Sequence, residues 1–117
     1  MSVRRVAITG IGMISPYGGG VADFFDHLVR GVSGVSFMQT DDVPQPLATP
    51  FVLCRHFESE KVLGKPLSMM MERFSQMAVA SAFSAWEDAG FDRKVDAVGL
   101  EEREDWGCMW GTALGGI

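Results

Sequence analysis

Few residues of this chain combine a reactive side chain with a spacing that chemistry can use. Its two cysteines, Cys54 and Cys108, stand far apart with no C-x-x-C pair, and its two histidines, His27 and His56, fall at no metal-ligand interval. Structural metal sites draw on several such groups at short, regular spacing, so no metal site is expected. Cys108 lies within the apolar run Trp106-Gly107-Cys108-Met109-Trp110. A thiol buried in such a strand is inert, which makes Cys108 structural rather than nucleophilic. Asp41 and Asp42 form a lone acidic pair in a proline-bearing stretch and read as solvated.

The glycines are the other chemical signal. Arg4 to Gly20 reads RRVAITGIGMISPYGGG, a β-branched run, Val6-Ala7-Ile8, that breaks at Gly10 and Gly12. A strand opening into G-x-G-x-x-G is the dinucleotide fingerprint. Here Ser15 takes the third glycine position. Pro16 and Gly18-Gly19-Gly20 occupy the turn where a helix N-terminus would have to meet the pyrophosphate. Consecutive glycines resist helix formation. No carboxylate stands between Val29 and Met38 to take the ribose hydroxyls. The motif reads as a close-packed turn at a strand end, and no cofactor is expected.

Those residues must be positioned by a small globular body. A chain of 117 residues is one domain or a piece of one, and 47% hydrophobic with 21% charged residues excludes a disordered chain. A net charge of −5 leaves no electrostatic footprint for nucleic acid or an anionic membrane. No apolar run approaches the roughly 20 residues of a membrane span, and Val6 to Ile14 is too short and glycine-broken for a signal peptide. Two separate thiols in an acidic, leaderless chain suit a reducing cytoplasm, with both side chains free and buried.

The elements follow from periodicity. Val6–Ile8 predicts a buried strand. Val21, Phe24, Phe25, Leu28 and Val29 form the stripe of an amphipathic helix over 21–30, with Gly31 as its stop and His27 on its solvated face. Residues 31–50 carry turn formers and predict a loop with a short turn near 35–38, and Pro44, Pro46 and Pro50 bar it from a central sheet. Phe51–Cys54 predicts a brief edge strand, and 58–65 one short helical turn. The longest helix is expected from Leu67 to Ala89, closed by Gly90-Phe91 in a Schellman ending. Its small residues, Ala78, Ala80, Ser81, Ala82 and Ala85, permit close approach. Its Met69-Met70-Met71 start is either an adaptable surface or, more plainly, core or subunit-interface packing. A charged connection over 91–105 leads to a last strand, Trp106–Trp110, and a second glycine turn, Gly111-Thr112-Ala113-Leu114-Gly115-Gly116. The order predicts α/β architecture with strands covered on both faces.

Four stretches taken together resemble one family: RRVAITGIGMISPYGGG, LVRGVSGV, MERFSQMAVASAFSAWEDAGF and WGCMWGTALGG. In order and spacing they are similar to the N-terminal part of the β-ketoacyl-acyl-carrier-protein synthases, condensing enzymes of the thiolase fold. The resemblance implies that residues 1–117 are the first part of the N-terminal half of a five-layered α/β/α/β/α architecture that acts as a homodimer. It implies decarboxylative Claisen condensation, with acyl carrier protein delivering the acyl and malonyl groups. The family's nucleophilic cysteine and two histidines lie beyond Ile117, so no catalytic role passes to Cys54, Cys108, His27 or His56, and the chain alone is expected to be inactive. One set of positions does transfer. Leu114 matches a residue that lines and gates the acyl pocket, with Ala113 and Gly115 beside it as substrate-binding neighbours. The same leucine is equally a hydrophobic plug in a tight turn. A rival expectation is a non-catalytic module that pairs with a complementary chain supplying the missing strands and helices.

Overall fold

A computed structural model describes residues 3–18, 20–38, 49–92, 104, 106–113 and 115. The chain divides into two compact units, Met1–Met13 with Ser59–Ile117, and Ile14–Glu58. Its elements in chain order are α1 (Val21–Val29), β1 (Val35–Met38), β2 (Thr49–Val52), α2 (Ser59–Leu63), α3 (Lys65–Met70) and α4 (Arg73–Asp88). Helices and a strand pair together give α/β content.

The unit Ile14–Glu58 opens with a turn in which the Gly18 amide donates to Ser15 O at 3.2 Å. Pro16 supplies the preset φ at the first central position of that turn. Ser15 is buried, and its Oγ accepts from the Tyr17 amide at 3.3 Å. The helix α1 follows as its stripe predicts. It closes with both Schellman bonds, Gly31 N–H to Leu28 O and Val32 N–H to His27 O, around Gly31 at φ +66°. The Arg30 guanidinium pairs with Asp26 at 2.7 Å, four residues back.

The loop expected over 31–50 is in part a strand. β1 pairs antiparallel with β2 in the register Val35↔Val52, Ser36↔Phe51, Phe37↔Pro50 and Met38↔Thr49. The edge strand expected at Phe51–Cys54 begins two residues earlier, and Pro50 sits within it. In a two-stranded sheet each strand keeps one open edge, so a residue without N–H is tolerated. The prolines at 44 and 46 and the pair Asp41-Asp42 lie outside the described residues. The pair is not covered on both faces, since Val35, Phe37 and Val52 are exposed.

In the other unit the long helix expected from Leu67 to Ala89 is broken. Met71 and Glu72 are extended, with ψ 142° and 155°, and α3 ends before them. The Gln76 side chain explains why the break is stable. Its Nε2 donates to Ser68 O at 2.7 Å and Met71 O at 3.0 Å, occupying carbonyls that a continuous helix would have bonded itself. The Schellman ending at Gly90-Phe91 is present, with Gly90 N–H to Glu87 O and Phe91 N–H to Trp86 O. The Phe91 ring packs on Trp86 at 4.7 Å. Leu63 and Ala80 are the buried apolar residues of this unit, with Ser68 beside them in the buried class. Met69 and Met70 are exposed, Met70 by 83%, and Met71 is half-buried, so the first two methionines of the run lie outside the core of this unit.

The two strands expected at Val6–Ile8 and Trp106–Trp110 belong to no sheet among the described residues. Val6 is 93% and Met109 99% exposed. A strand needs a neighbour to take its ladder hydrogen bonds, and sequence pattern alone does not supply one.

Candidate functional site

The first glycine motif is built against the C-terminal half of α4. A Cβ at Gly12 would meet Ser81 O, Ala85 N and, at 2.8 Å, Ser84 Cβ. One at Gly10 would meet Ala85 O and, at 2.7 Å, Ala89 N. Ser81, Ala85 and Ala89 recur every four residues along one helix face. The two glycines therefore let the backbone lie directly on a strip of small side chains. Between them the Ile11 amide donates to the Asp88 carboxylate at 2.9 Å. No helix N-terminus meets the glycines here, because α1 starts only at Val21. The close-packing reading of the two glycines holds.

Both histidines flank the turn that follows, inside the unit Ile14–Glu58. The His27 ring stacks on Tyr17 at 4.4 Å and 18°, and its Nδ1 lies 2.7 Å from Asp23 O. A carbonyl only accepts, so Nδ1 carries the proton and Nε2 is the free position. The Tyr17 hydroxyl donates to Val32 O at 2.6 Å, tying the turn to the residues after α1. His27 is thus half-buried in a stack rather than on a solvated face. His56 lies across the same turn, where a Cβ at Gly18 would come within 3.4 Å of it. Cys54 is half-buried and Cys108 exposed, which corrects the expectation that both thiols are buried. Cys108 loses its cover because no strand lies beside 106–110 among the described residues. Among those residues no group of three or more histidines, cysteines or carboxylates could hold a metal ion. Nor is any helix there long and apolar enough to cross a membrane.

The second glycine turn carries the predicted substrate-binding residues. Ala113 and Gly115 are exposed, and Leu114 lies outside the described residues. The position of Gly115 is set by Phe74 in the first turn of α4: a Cβ there would fall 2.6 Å from Cε2 and 2.8 Å from Cζ of that ring. The segment leading into the turn is anchored by Trp106, whose ring contacts Trp86 at 5.1 Å and Phe91 at 5.6 Å. Sequence reasoning missed Phe74, Asp88 and this aromatic trio. Only the Trp86 and Phe91 pair carried a signal, as the apolar residues on either side of the Gly90 helix stop.

Comparison with known sequences gives a consistent result. The family described as Beta-ketoacyl synthase, N-terminal domain, matches residues 3–116. A 3-oxoacyl-acyl-carrier-protein synthase 2 from Vibrio cholerae is 32% identical over 118 residues, covering 100% of this chain and 27% of that protein. Another of the same name from Coxiella burnetii is 36% identical over 92 residues, covering 79% of the chain and 22% of that protein. One from Staphylococcus aureus is 29% identical over 119 residues, or 97% of the chain and 26% of that protein. The chain thus spans about a quarter of the length of the curated relatives it matches.

Proposed function

We propose a function that starts from membership: this chain belongs to the β-ketoacyl synthase family, through that family's N-terminal domain. The reading is that residues 1–117 are the first part of the N-terminal half of a five-layered thiolase-type fold. The whole protein would be a 3-oxoacyl-acyl-carrier-protein synthase of fatty-acid or related acyl synthesis. Its partners would be acyl carrier proteins loaded with acyl and malonyl groups, its working form a homodimer, and its place the cytoplasm. The family match over residues 3–116 carries this reading. The segments 3–13 and 106–110, which join no sheet among the described residues, support it, because each exposes apolar residues that further strands would cover.

In the reaction an acyl group passes from carrier protein to a cysteine thiolate. Malonyl thioester then loses carbon dioxide, and the resulting carbanion attacks the acyl thioester, releasing the thiolate and a 3-oxoacyl product. No residue of this chain is assigned to the nucleophile, and residues 1–117 alone are read as inactive. Their contribution is a wall of the acyl pocket, Ala113, Leu114 and Gly115. The test is condensation by the whole protein, with the 3-oxoacyl product read by mass spectrometry, in wild type and in Cys54→Ala and Cys108→Ala. Both variants should keep the wild-type rate. Loss of condensation in either would make that cysteine the nucleophile and refute the assignment, and a wild type that condenses nothing would refute the function.

A further inference from the structure

The interruption between α3 and α4 falls in a stretch whose composition gives no reason for one. No glycine or proline occurs between Pro66 and Gly90, and Met69-Met70-Met71-Glu72 are all good helix formers. In an uninterrupted helix the Glu72 amide would bond Ser68 O and the Ser75 amide would bond Met71 O, each four residues back. Those are the two carbonyls that Gln76 Nε2 occupies, at 2.7 and 3.0 Å. One side chain thus competes directly with two backbone bonds that would close the break. The interrupted form also carries a cost of its own. Ser68 is buried, and its Oγ has no hydrogen-bond partner among the described residues.

We infer that the α3–α4 junction is a two-state hinge, with Gln76 as the latch that holds it interrupted. The alternative state is a single helix from Lys65 to Asp88. In it Met71 and Glu72 turn helical, and the amides of Glu72 and Ser75 replace the Gln76 amide on the carbonyls of Ser68 and Met71. The helix α2 packs on both α3 and α4. The straight form therefore gives up the present seat of α3 on α2 and carries the exposed Met69 and Met70 with it. The hinge rests on these three helices alone and not on the reaction proposed for the whole protein.

The test is residue-resolved hydrogen exchange on the whole protein in wild type, Gln76→Leu, Glu72→Pro and the double variant. Leucine keeps the helix propensity but donates nothing. Two hydrogen bonds of ordinary net strength weight an equilibrium by about thirtyfold. Exchange at the Glu72 and Ser75 amides should therefore slow by on the order of tenfold in Gln76→Leu. Proline at position 72 fits the interrupted form, where Glu72 has φ −64° and Met71 is extended. It also removes the amide at 72 and bars the straight helix. Glu72→Pro should leave Ser75 exchanging as in wild type, and in the double variant it should return Ser75 to that rate. A purely structural cap predicts the opposite, faster exchange at both amides in Gln76→Leu as the helix start frays. Faster or unchanged exchange there overturns the inference, and so does slowed exchange that survives Glu72→Pro. If Gln76→Leu does not fold, Gln76→Glu, which cannot donate either, is read by the same two amides. Loss of the fold in both overturns the inference too, because a hinge with a second helical state keeps the chain folded.

Discussion

Replacing Gly12 by alanine tests the contact on which the N-terminal segment depends. The new methyl would collide with Ser81 O and Ala85 N, both backbone atoms of α4, as well as with Ser84 Cβ at 2.8 Å. Helical backbone cannot move aside without losing its own ladder, so the N-terminal segment must retreat, by on the order of 1 Å to restore ordinary contact distances. Such overpacking costs about 1–3 kcal/mol. The retreat also draws the Ile11 amide away from the Asp88 carboxylate, now 2.9 Å apart. That bond is exposed, which limits its loss to about 1 kcal/mol or less. Alanine restricts the unfolded chain and returns about 0.4–1 kcal/mol. The net expectation is destabilisation by about 1–3 kcal/mol, read as a lower urea midpoint with unchanged slope. Hydrogen exchange at the Ile11 amide should accelerate in the same variant. Gly107→Ala is the control, because a Cβ there meets nothing within 4 Å, and it should stay within about 0.5 kcal/mol of wild type. A Gly12→Ala protein with unchanged midpoint and undiminished Ile11 protection would refute the close approach.

Other perturbations separate the remaining contacts. Gln76→Ala removes two donors from the carbonyls of Ser68 and Met71 and should lower stability by about 1–2 kcal/mol. Gln76→Glu should be no better, since a carboxylate cannot donate, and a neutral result in denaturant for both would sink the capping role. Tyr17→Phe loses the 2.6 Å bond to Val32 O but keeps the stack. It should cost about 0.5–1.5 kcal/mol and leave the ring-current shift of the His27 protons in the NMR spectrum. Gly31→Ala and Gly90→Ala place a Cβ at φ +66° and +87°. Each should cost about 1 kcal/mol in thermal or urea unfolding, and equal stability would argue against the left-handed helix ends.

What the sequence made legible was local. The helix α1, its stop at Gly31 and the Schellman ending at Gly90-Phe91 depend on residues a few positions apart, and each is present as read. What it hid depends on partners far along the chain. β1 became a strand because Thr49–Val52 lies beside it, and its own composition looked like a turn. The break at Met71 is held by a side chain on the next helix, so helical periodicity ran straight through it. His27 lost its solvated place to a tyrosine ten residues earlier. For the candidate site, Ala113 and Gly115 were expected through resemblance alone, while the contact of Phe74 with Gly115 was not foreseen, because a ring against a glycine forty-one residues later leaves no local trace.

Within the unit Met1–Met13 with Ser59–Ile117, the geometry makes α4 the element that other segments pack on. Of the four stretches that carry the family resemblance, one contains this helix and two others meet on it. Its small-residue face, Ser81, Ala85 and Ala89, receives Gly10 and Gly12. Its Trp86 holds Trp106, and its Phe74 holds Gly115. Each contact is specified from both sides, since a glycine in the segment is useful only where the helix offers a small side chain or a fixed ring. That mutual requirement links the I-T-G-x-G and G-T-A-L-G-G signatures to the helix that begins with R-F-S-Q: one end of α4 receives the first glycine motif and its first turn meets Gly115 of the second.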